Sequence, residues 1–313
     1  MQPRLIALDW GTSSLRAYCL GAGGQLLAQR GSAHGIMHLP DGNDFDSAFE
    51  QACGDWLAEG VPVIACGMVG SAQGWREAPY CPAPARVADL GQRLQTLRTR
   101  GGHTLHIVPG VLQQGLLPNV MRGEETQVLG LLQSLPEAAR QAPLLVGLPG
   151  SHSKWVRVRE GCIEHFDTFM TGELYAVACA HSILGRTLRQ GEPFQAPAFE
   201  RGLHVALSDA GELGPLSTAF SARALGLTGV LDGAQQADYL SGLFIGHEVQ
   251  ALARALKRQQ PSLPAAYLIG SQTLCQRYAH ALEHAGFGLA GIAAQATEHG
   301  LWAVAEAAGL IQP

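Results

Sequence analysis

Apolar and polar residues fall in blocks along this chain. An unbroken apolar run at 5–8 ends on Asp9, which predicts a strand over 4–10 buried on both faces with a carboxylate at its carboxyl end. Gly11, Thr12, Ser13 and Ser14 make a turn, a second strand follows over 15–20, and a third is predicted over 25–29. A helix near 44–58 and a strand at 61–66 come next. Three strands followed by crossover elements indicate a mixed sheet. Residues 67–84 carry Gly67, Gly70, Gly74, Pro79, Pro82 and Pro84, a punctuation too dense for regular structure, so a covering loop is predicted. A strand near 105–111 and a helix opening at 121–127 and running to about Ser134 complete this part.

A second phase repeats the pattern. An apolar strand from Pro143 meets Gly150, Ser151, His152 and Ser153, returns as a strand through Lys154 and Trp155, and is followed by a third strand at 162–168 and a helix near 172–182. The order strand, strand, strand, helix therefore occurs twice, and the chain reads as two diverged copies of one unit. A helix-rich stretch spans about 194–258, then a strand from Ala265 reaches Gly270 and Ser271 before another helix, and a last helix is expected near 294–310.

Composition narrows the classes. With 313 residues, 47% of them hydrophobic and 15% charged, the chain can build a large core divided between two domains. A net charge of −5 gives no basic footprint for nucleic acid or an anionic membrane, so a small-molecule partner is expected. No apolar run has the length of a membrane span, and the opening run shows no cleavage site, so the protein is expected to stay in the cytoplasm. Seven cysteines at irregular spacing form neither a CxxC pair nor a disulfide framework, which fits a reducing compartment. The pairs His34/His38 and His280/His284 lack the further ligands a zinc site needs.

The first hairpin carries the clearest chemistry. Gly11 permits close backbone approach, the amides of Thr12, Ser13 and Ser14 can line an anion-binding concavity, and Asp9 can hold a hydrated Mg²⁺. A capped turn with local hydrogen bonds explains the same residues equally well. Neither G-x-x-x-x-G-K-[ST] nor G-x-G-x-x-G occurs. Lysine is nearly absent, with only Lys154 and Lys257 against nineteen arginines, so a lysine inside the second turn stands out as a point cation for phosphate or carboxylate, or else as an exposed strand-edge residue.

Two such hairpins and a late strand-Gly-Ser-helix resemble the actin, hexokinase and heat-shock chaperone ATPase superfamily. That resemblance implies an α/β, two-domain actin-like ATPase (ribonuclease H-like) fold with ATP and Mg²⁺ in a cleft between the mixed-sheet repeats. The domains are expected at 1–120 and 121–293, with the last helix packing back on the first. Asp9-Trp-Gly-Thr, Gly67-Met-Val-Gly70-Ser71 with Gly74-Trp75, Met121-Arg122-Gly-Glu124-Glu125-Thr-Gln127, the run from Gly150 to Trp155 and Met170-Thr171-Gly172-Glu173-Leu174 together resemble the 2-dehydro-3-deoxygalactonokinases. The implied reaction moves the ATP γ-phosphoryl group to the C6 hydroxyl of 2-dehydro-3-deoxy-D-galactonate.

On that resemblance Asp9 meets the metal, Gly11, Thr12, Ser13, Ser14, Gly150, Ser151, His152, Ser153 and Lys154 grip phosphates, and Gly270 and Ser271 flank the nucleoside. Gly147 stands where the first repeat has Asp9, which leaves metal binding mainly to Asp9. Phosphoryl transfer needs one carboxylate to deprotonate the attacking hydroxyl, and Glu124, Glu125 and His152 are the candidates. Alignment of the Gly-x-Glu-Glu run with exopolyphosphatases favours Glu125, although acids are favoured in any first helical turn. Arg122 and Arg16 are the cations for the substrate carboxylate, unless they pair with neighbouring acids. Gly70, Ser71 and Trp75 are expected along the sugar acid, with Thr171 and Glu173 as further lining or as a plain helix start. An exopolyphosphatase-like phosphohydrolase and a non-catalytic sugar-acid sensor are the alternatives, and a homodimer is compatible with the sequence.

Overall fold

The computed structural model describes residues 2–40, 44–57, 60–259 and 262–312. Ala58, the last residue of the first predicted helix, lies outside them. The chain divides into two compact units, the first drawn from Met1–Leu144, Val156–Asp167 and Ala293–Pro313, the second from Leu145–Trp155 and Thr168–Ile292.

The first unit is built on strands β1 (Leu5–Trp10), β2 (Leu15–Leu20), β3 (Leu26–Ser32), β4 (Val63–Cys66), β5 (Cys81–Pro82), β6 (Gln95–Arg98), β7 (Thr104–Ile107), β8 (Val111–Gln113) and β9 (Asn119–Met121). Its helices are α1 (Phe45–Cys53), α2 (Val87–Gly91), α3 (Glu124–Ser134), α4 (Glu137–Gln141) and, from the carboxyl end of the chain, α11 (Ala296–Ala307). Six strands form a mixed sheet of order β3-β2-β1-β4-β7-β6, and β5-β8-β9 form a small separate sheet. The apolar run puts β1 in the middle, because Leu5, Ile6, Ala7 and Leu8 are each 0% exposed and only a strand covered on both faces can bury all four. β1 pairs antiparallel with β2, Asp9 opposite Arg16, and parallel with β4, Asp9 beside Cys66. α1 contributes Phe49 to the core of Ile6, Leu8, Trp10, Leu105 and Ile107, while α11 packs on β1 and β4.

The sequence pattern set a boundary after residue 120, whereas α3 groups with the first unit. The reason is a backbone-to-backbone helix contact with α11. A β-carbon on Gly130 of α3 would lie 1.7 Å from the Ala296 carbonyl oxygen, and one on Gly300 of α11 would lie 1.9 Å from that of Thr126. Two glycines facing each other's helix leave no space for a side chain.

The second unit carries the end of β10 (Leu144–Leu148), the start of β11 (Ser153–Arg159), the end of β12 (Cys162–Phe169), β13 (Ala266–Ile269) and β14 (Leu289–Ala293). The strand order β12-β11-β10-β13-β14 repeats the 3-2-1-4 order of the first sheet, and β10 pairs parallel with β13, Gly147 beside Leu268. Its helices are α5 (Thr171–His181), α6 (Ala196–Leu207), α7 (Pro215–Thr218), α8 (Phe220–Leu227), α9 (Gly233–Lys257) and α10 (Gln272–His284). α6 lies directly on α9, and α9 and α10 cover Leu145, Trp155, Ala266 and Leu268.

Two edge strands, β6 and β14, and the short β5 and β9 were not anticipated by the pattern. The seven cysteines are free and buried. Among the described residues no helix is long and apolar enough to cross a membrane.

Gly300→Ala is expected to destabilise the protein by about 1–3 kcal/mol or more, since the added methyl forces the α3–α11 contact apart. Urea denaturation measures it, and a midpoint equal to wild type would show that the contact tolerates a side chain.

Candidate functional site

In the first unit the functional side chains gather at the carboxyl ends of parallel strands, where such sheets expose their loops. Asp9 closes β1, and its carboxylate is held by the Arg16 guanidinium from the paired strand at 2.6 Å. With 13% of its side chain exposed, Asp9 has its pKa raised by burial against the lowering pull of Arg16. Thr12, Ser13 and Ser14 are exposed in the turn, which Gly11 closes by donating its amide to the Ser14 carbonyl at 2.9 Å. The backbone of Ile36 and Met37 donates to the Gly11 and Thr12 carbonyls, so the segment after β3 seats against the turn.

Beside Asp9, β4 ends at Cys66 and the chain reverses through Gly67. Gly67 has φ +94, and a β-carbon there would lie 2.8 Å from the Trp10 carbonyl oxygen, so glycine is required. Gly67 also approaches Gly123, which begins α3. Glu124 and Glu125 therefore sit in the first helical turn beside the end of β4.

Glu125 is 0% exposed. Its carboxyl accepts the Gly123 amide at 2.7 Å and the Thr126 hydroxyl at 2.9 Å. Burial first, and the adjacent Glu124 charge second, push it up to about 8. Both Asp9 and Glu125 add to the burial that pushes the Cys66 thiol up, which places the two acids within electrostatic reach of one thiol. Glu124 is partly exposed and accepts the Arg122 amide at 2.9 Å.

Arg122 is the second unusual group. Its Nη2 donates to the Ala78 carbonyl at 2.8 Å and its guanidinium lies 4.4 Å from the Tyr80 ring centroid, while Nε and Nη1 are buried without a partner. The Ser71 hydroxyl, on the glycine-rich loop, is likewise buried and unpartnered. Gly70 makes room for the cation, because a β-carbon there would lie 3.0 Å from Arg122 Nη1. Unsatisfied buried donors are costly, so these atoms are candidates to bond an anionic or carbonyl-bearing ligand. Arg16, by contrast, is engaged with Asp9. The Trp75 ring stacks on Phe45 at 5.7 Å and meets Trp10 edge-on, so it anchors the loop in the core rather than standing free as a wall.

In the second unit β10 ends in a turn bearing Gly150, Ser151 and His152, the last two exposed. Gly270, which ends β13, lies near the Pro149 carbonyl, and Ser271 precedes α10. α5 begins at Thr171, and the Glu173 amide donates to the Ser151 carbonyl at 3.0 Å while its carboxylate meets His152 Nε2. Two helix N-termini thus stand at one end of this sheet, an arrangement suited to anions.

Two sequence expectations are corrected. Lys154 is 5% exposed and not a strand-edge residue. Ser153, 1% exposed, directs its hydroxyl to the Tyr278 hydroxyl at 2.9 Å and not to the turn surface. Thr171 is the first residue of α5, and its hydroxyl lies near Glu248. The absence of an acid at Gly147 also acquires a cause, for a β-carbon there would lie 2.6 Å from the Trp155 ring. Sequence reasoning missed Glu248 and Tyr278, whose signal was an acid within the apolar run of α9 and a tyrosine on the buried stripe of α10.

A carboxyl pushed up to about 8 keeps its proton in the folded protein where an unfolded glutamate, near 4.5, has lost it. The stability gained from burying the neutral form is complete below pH ~4.5 and is lost as pH rises toward 8. Melting temperature between pH 5 and 8 should therefore fall more steeply in wild type than in Glu125→Gln; parallel curves would show that Glu125 is ionised in the fold.

Known proteins resemble this chain over nearly its whole length. The family model for 2-keto-3-deoxy-galactonokinase matches residues 9–304. The chain is 35% identical over 309 residues to a 2-dehydro-3-deoxygalactonokinase of Escherichia coli (strain K12), covering 98% of this chain and 99% of that one. It is also 34% identical to a crystal structure of a Sinorhizobium meliloti protein assigned to the same enzyme, with TM-score 0.86 over 97% of this chain and 98% of the other. At 11% identity and TM-score 0.51, the activator of 2-hydroxyisocaproyl-CoA dehydratase from Clostridium difficile, solved with bound ADPNP, shares the fold over 97% of this chain and 95% of that one. With its actin-like ATPase architecture and a family match from Asp9 into α11, the chain belongs to the 2-keto-3-deoxy-galactonokinase family.

Proposed function

We propose that this protein is a kinase that transfers the ATP γ-phosphoryl group to the C6 hydroxyl of 2-dehydro-3-deoxy-D-galactonate. One observation carries the reading beyond family membership: a single turn, 122–125, holds both a buried guanidinium with two unpartnered nitrogens and a buried carboxyl poised to ionise near pH 8. A sugar acid asks for both. Its carboxylate accepts charge-assisted bonds from Arg122 and a bond from Ser71, while its hydroxyl surrenders a proton to Glu125.

Phosphoryl transfer is mostly positioning and charge stabilisation. Glu125, with its pKa near the operating range, accepts the hydroxyl proton as the new P–O bond forms. Glu124 raises the basicity of its neighbour through charge. Thr12, Ser13 and Ser14 in the first unit and Gly150, Ser151 and His152 in the second offer backbone and side-chain donors to phosphate oxygens, and Gly270 and Ser271 flank the nucleoside. Lys154 adds a fixed positive charge.

Asp9 is the residue that would hold Mg²⁺. Its carboxylate already receives a cation in the form of Arg16 at 2.6 Å. Among the described residues no group of three or more His, Cys, Asp or Glu could hold a metal ion, and one carboxylate completed by phosphate and water is a donor set that Mg²⁺ accepts. The ion would neutralise phosphate charge when bound.

A coupled ADP-release assay across 2-dehydro-3-deoxy aldonates tests the reading. ADP should appear only with the sugar acid, and faster with the galactonate derivative than with the gluconate derivative; release of phosphate from ATP or polyphosphate alone at the same rate would instead support a hydrolase. In wild type kcat/KM should rise with pH as Glu125 loses its proton near 8. Glu125→Gln should lower kcat by roughly 10²–10⁴-fold and abolish that rise, and retention of wild-type rate would remove Glu125 as the base. Arg122→Gln should raise KM for the sugar acid by about ten- to a hundredfold, the worth of a charge-assisted bond of ~1.5–3 kcal/mol, with KM for ATP unchanged.

A further inference from the structure

The buried acid of the second unit has no part in the chemistry just described, yet the whole phosphate-facing turn hangs from it. Glu248, in the middle of α9, is 3% exposed. Oε1 accepts Trp155 Nε1–H at 2.7 Å and Oε2 accepts the Tyr278 hydroxyl at 2.8 Å. The hydroxyls of Thr171 and Ser153 also lie near enough to pull its pKa down, and Ser153 bonds Tyr278 at 2.9 Å. Three elements, β11, α9 and α10, are therefore bonded at one carboxylate, and the first residue of α5 lies beside it.

Their positions decide what the network does. Ser153 and Trp155 alternate with Lys154 along β11, so anchoring the outer two residues turns Lys154 to the opposite face of the strand. Thr171 opens the helix whose next residues rest on the turn, through the Glu173 amide on the Ser151 carbonyl and the Glu173 carboxylate on His152. The strand that leaves the turn is thus fixed to Glu248, and the helix that covers the turn starts beside the same carboxylate. Burial pushes the carboxyl up, and the donors from Thr171, Trp155, Tyr278 and Ser153 pull it down. Removing this acid frees two buried donors at once, the Trp155 N–H and the Tyr278 O–H, which is costly in a dry interior.

We propose that Glu248 is a positioning residue for phosphate binding: through Trp155, Ser153, Tyr278 and Thr171 it holds the 150–154 turn and the α5 N-terminus in the one arrangement that grips the nucleotide's phosphates. The proposal rests on the assignment of that turn to ATP. A residue of this kind acts on ATP and leaves Arg122, Ser71 and Glu125 alone, because these proposed sugar-acid groups belong to the first unit.

Glu248→Leu, Tyr278→Phe, Trp155→Phe and Glu248→Gln test it, each compared with wild type for KM of ATP, KM of the sugar acid, kcat and the rise in melting temperature that ATP produces. Glu248→Leu should raise KM for ATP by roughly ten- to a hundredfold and shrink the ATP-induced rise, with KM for the sugar acid unchanged. Tyr278→Phe, which deletes one donor and keeps the ring, and Trp155→Phe, which deletes the other donor and shrinks the ring, should move the same two readouts in the same direction by less, and Tyr278→Phe decides the matter if Glu248→Leu does not fold. Glu248→Gln, which keeps an acceptor for Trp155, should lie closest to wild type. Variants with lowered melting temperature but wild-type KM for ATP and a full ATP-induced rise would overturn the proposal, leaving the network as core packing alone. If wild type binds ATP yet phosphorylates no sugar acid, the kinase reading fails while the ATP-induced rise still judges Glu248. If wild type gives no ATP-induced rise, the proposal falls with the assignment of the turn.

Discussion

A carboxyl group taken out of water has to be neutralised or surrounded by donors, and each unit of this protein is organised around one that is. Glu125 and Glu248 are 0% and 3% exposed. Glu125 is met by two donors from its own turn, and it stays close to neutral because too few groups hold its charge. Glu248 draws donors from two other elements, β11 and α10, and it fixes them in place. The same cost therefore yields a titratable group in one unit and a structural knot in the other, according to the number and reach of the donors.

Close packing of backbones makes those burials possible. Gly67 lets the chain reverse against the Trp10 carbonyl, which brings the start of α3 beside the end of β1. The Gly130 and Gly300 contact then holds α3 to α11, so the helix that carries Glu125 is fixed from both its first turn and its middle. In the second unit the Trp155 ring fills the space beside Gly147. That ring is the physical reason why the second hairpin lacks the acid of the first: the volume a carboxylate would need is occupied by an indole whose N–H serves Glu248. The two hairpins share topology and differ in work, one presenting a carboxylate and the other donors and a lysine.

Much of this was legible along the chain. Blocks of apolar residues located β1, β4, β10 and β13, and the order of strands and helices showed the repeat, because a strand buried on both faces and an amphipathic helix leave different periods. Hydroxyl- and glycine-rich turns after those strands marked the ends proposed to face phosphate. The edge strands β6 and β14 escaped because they are short and only half covered, so no apolar run announces them. The boundary near 120 failed because α3 reads as the start of a new segment, while its allegiance is set by glycines that meet α11 from the far end of the chain.

The sequence by itself determined which chemical groups the protein has and the local turns that present them: Asp9 at a strand end, Glu124 and Glu125 in a first helical turn, a lone lysine after the second turn. Those follow from neighbours a few residues apart. Only the tertiary structure decided how each group behaves. It paired Asp9 with Arg16, left two nitrogens of Arg122 and the Ser71 hydroxyl without partners, buried Lys154, raised Glu125 toward 8 and made Glu248 the anchor of a turn almost a hundred residues earlier. Solvation and partner count set a side chain's charge and freedom, and both are properties of what the fold brings near it, which no local pattern contains.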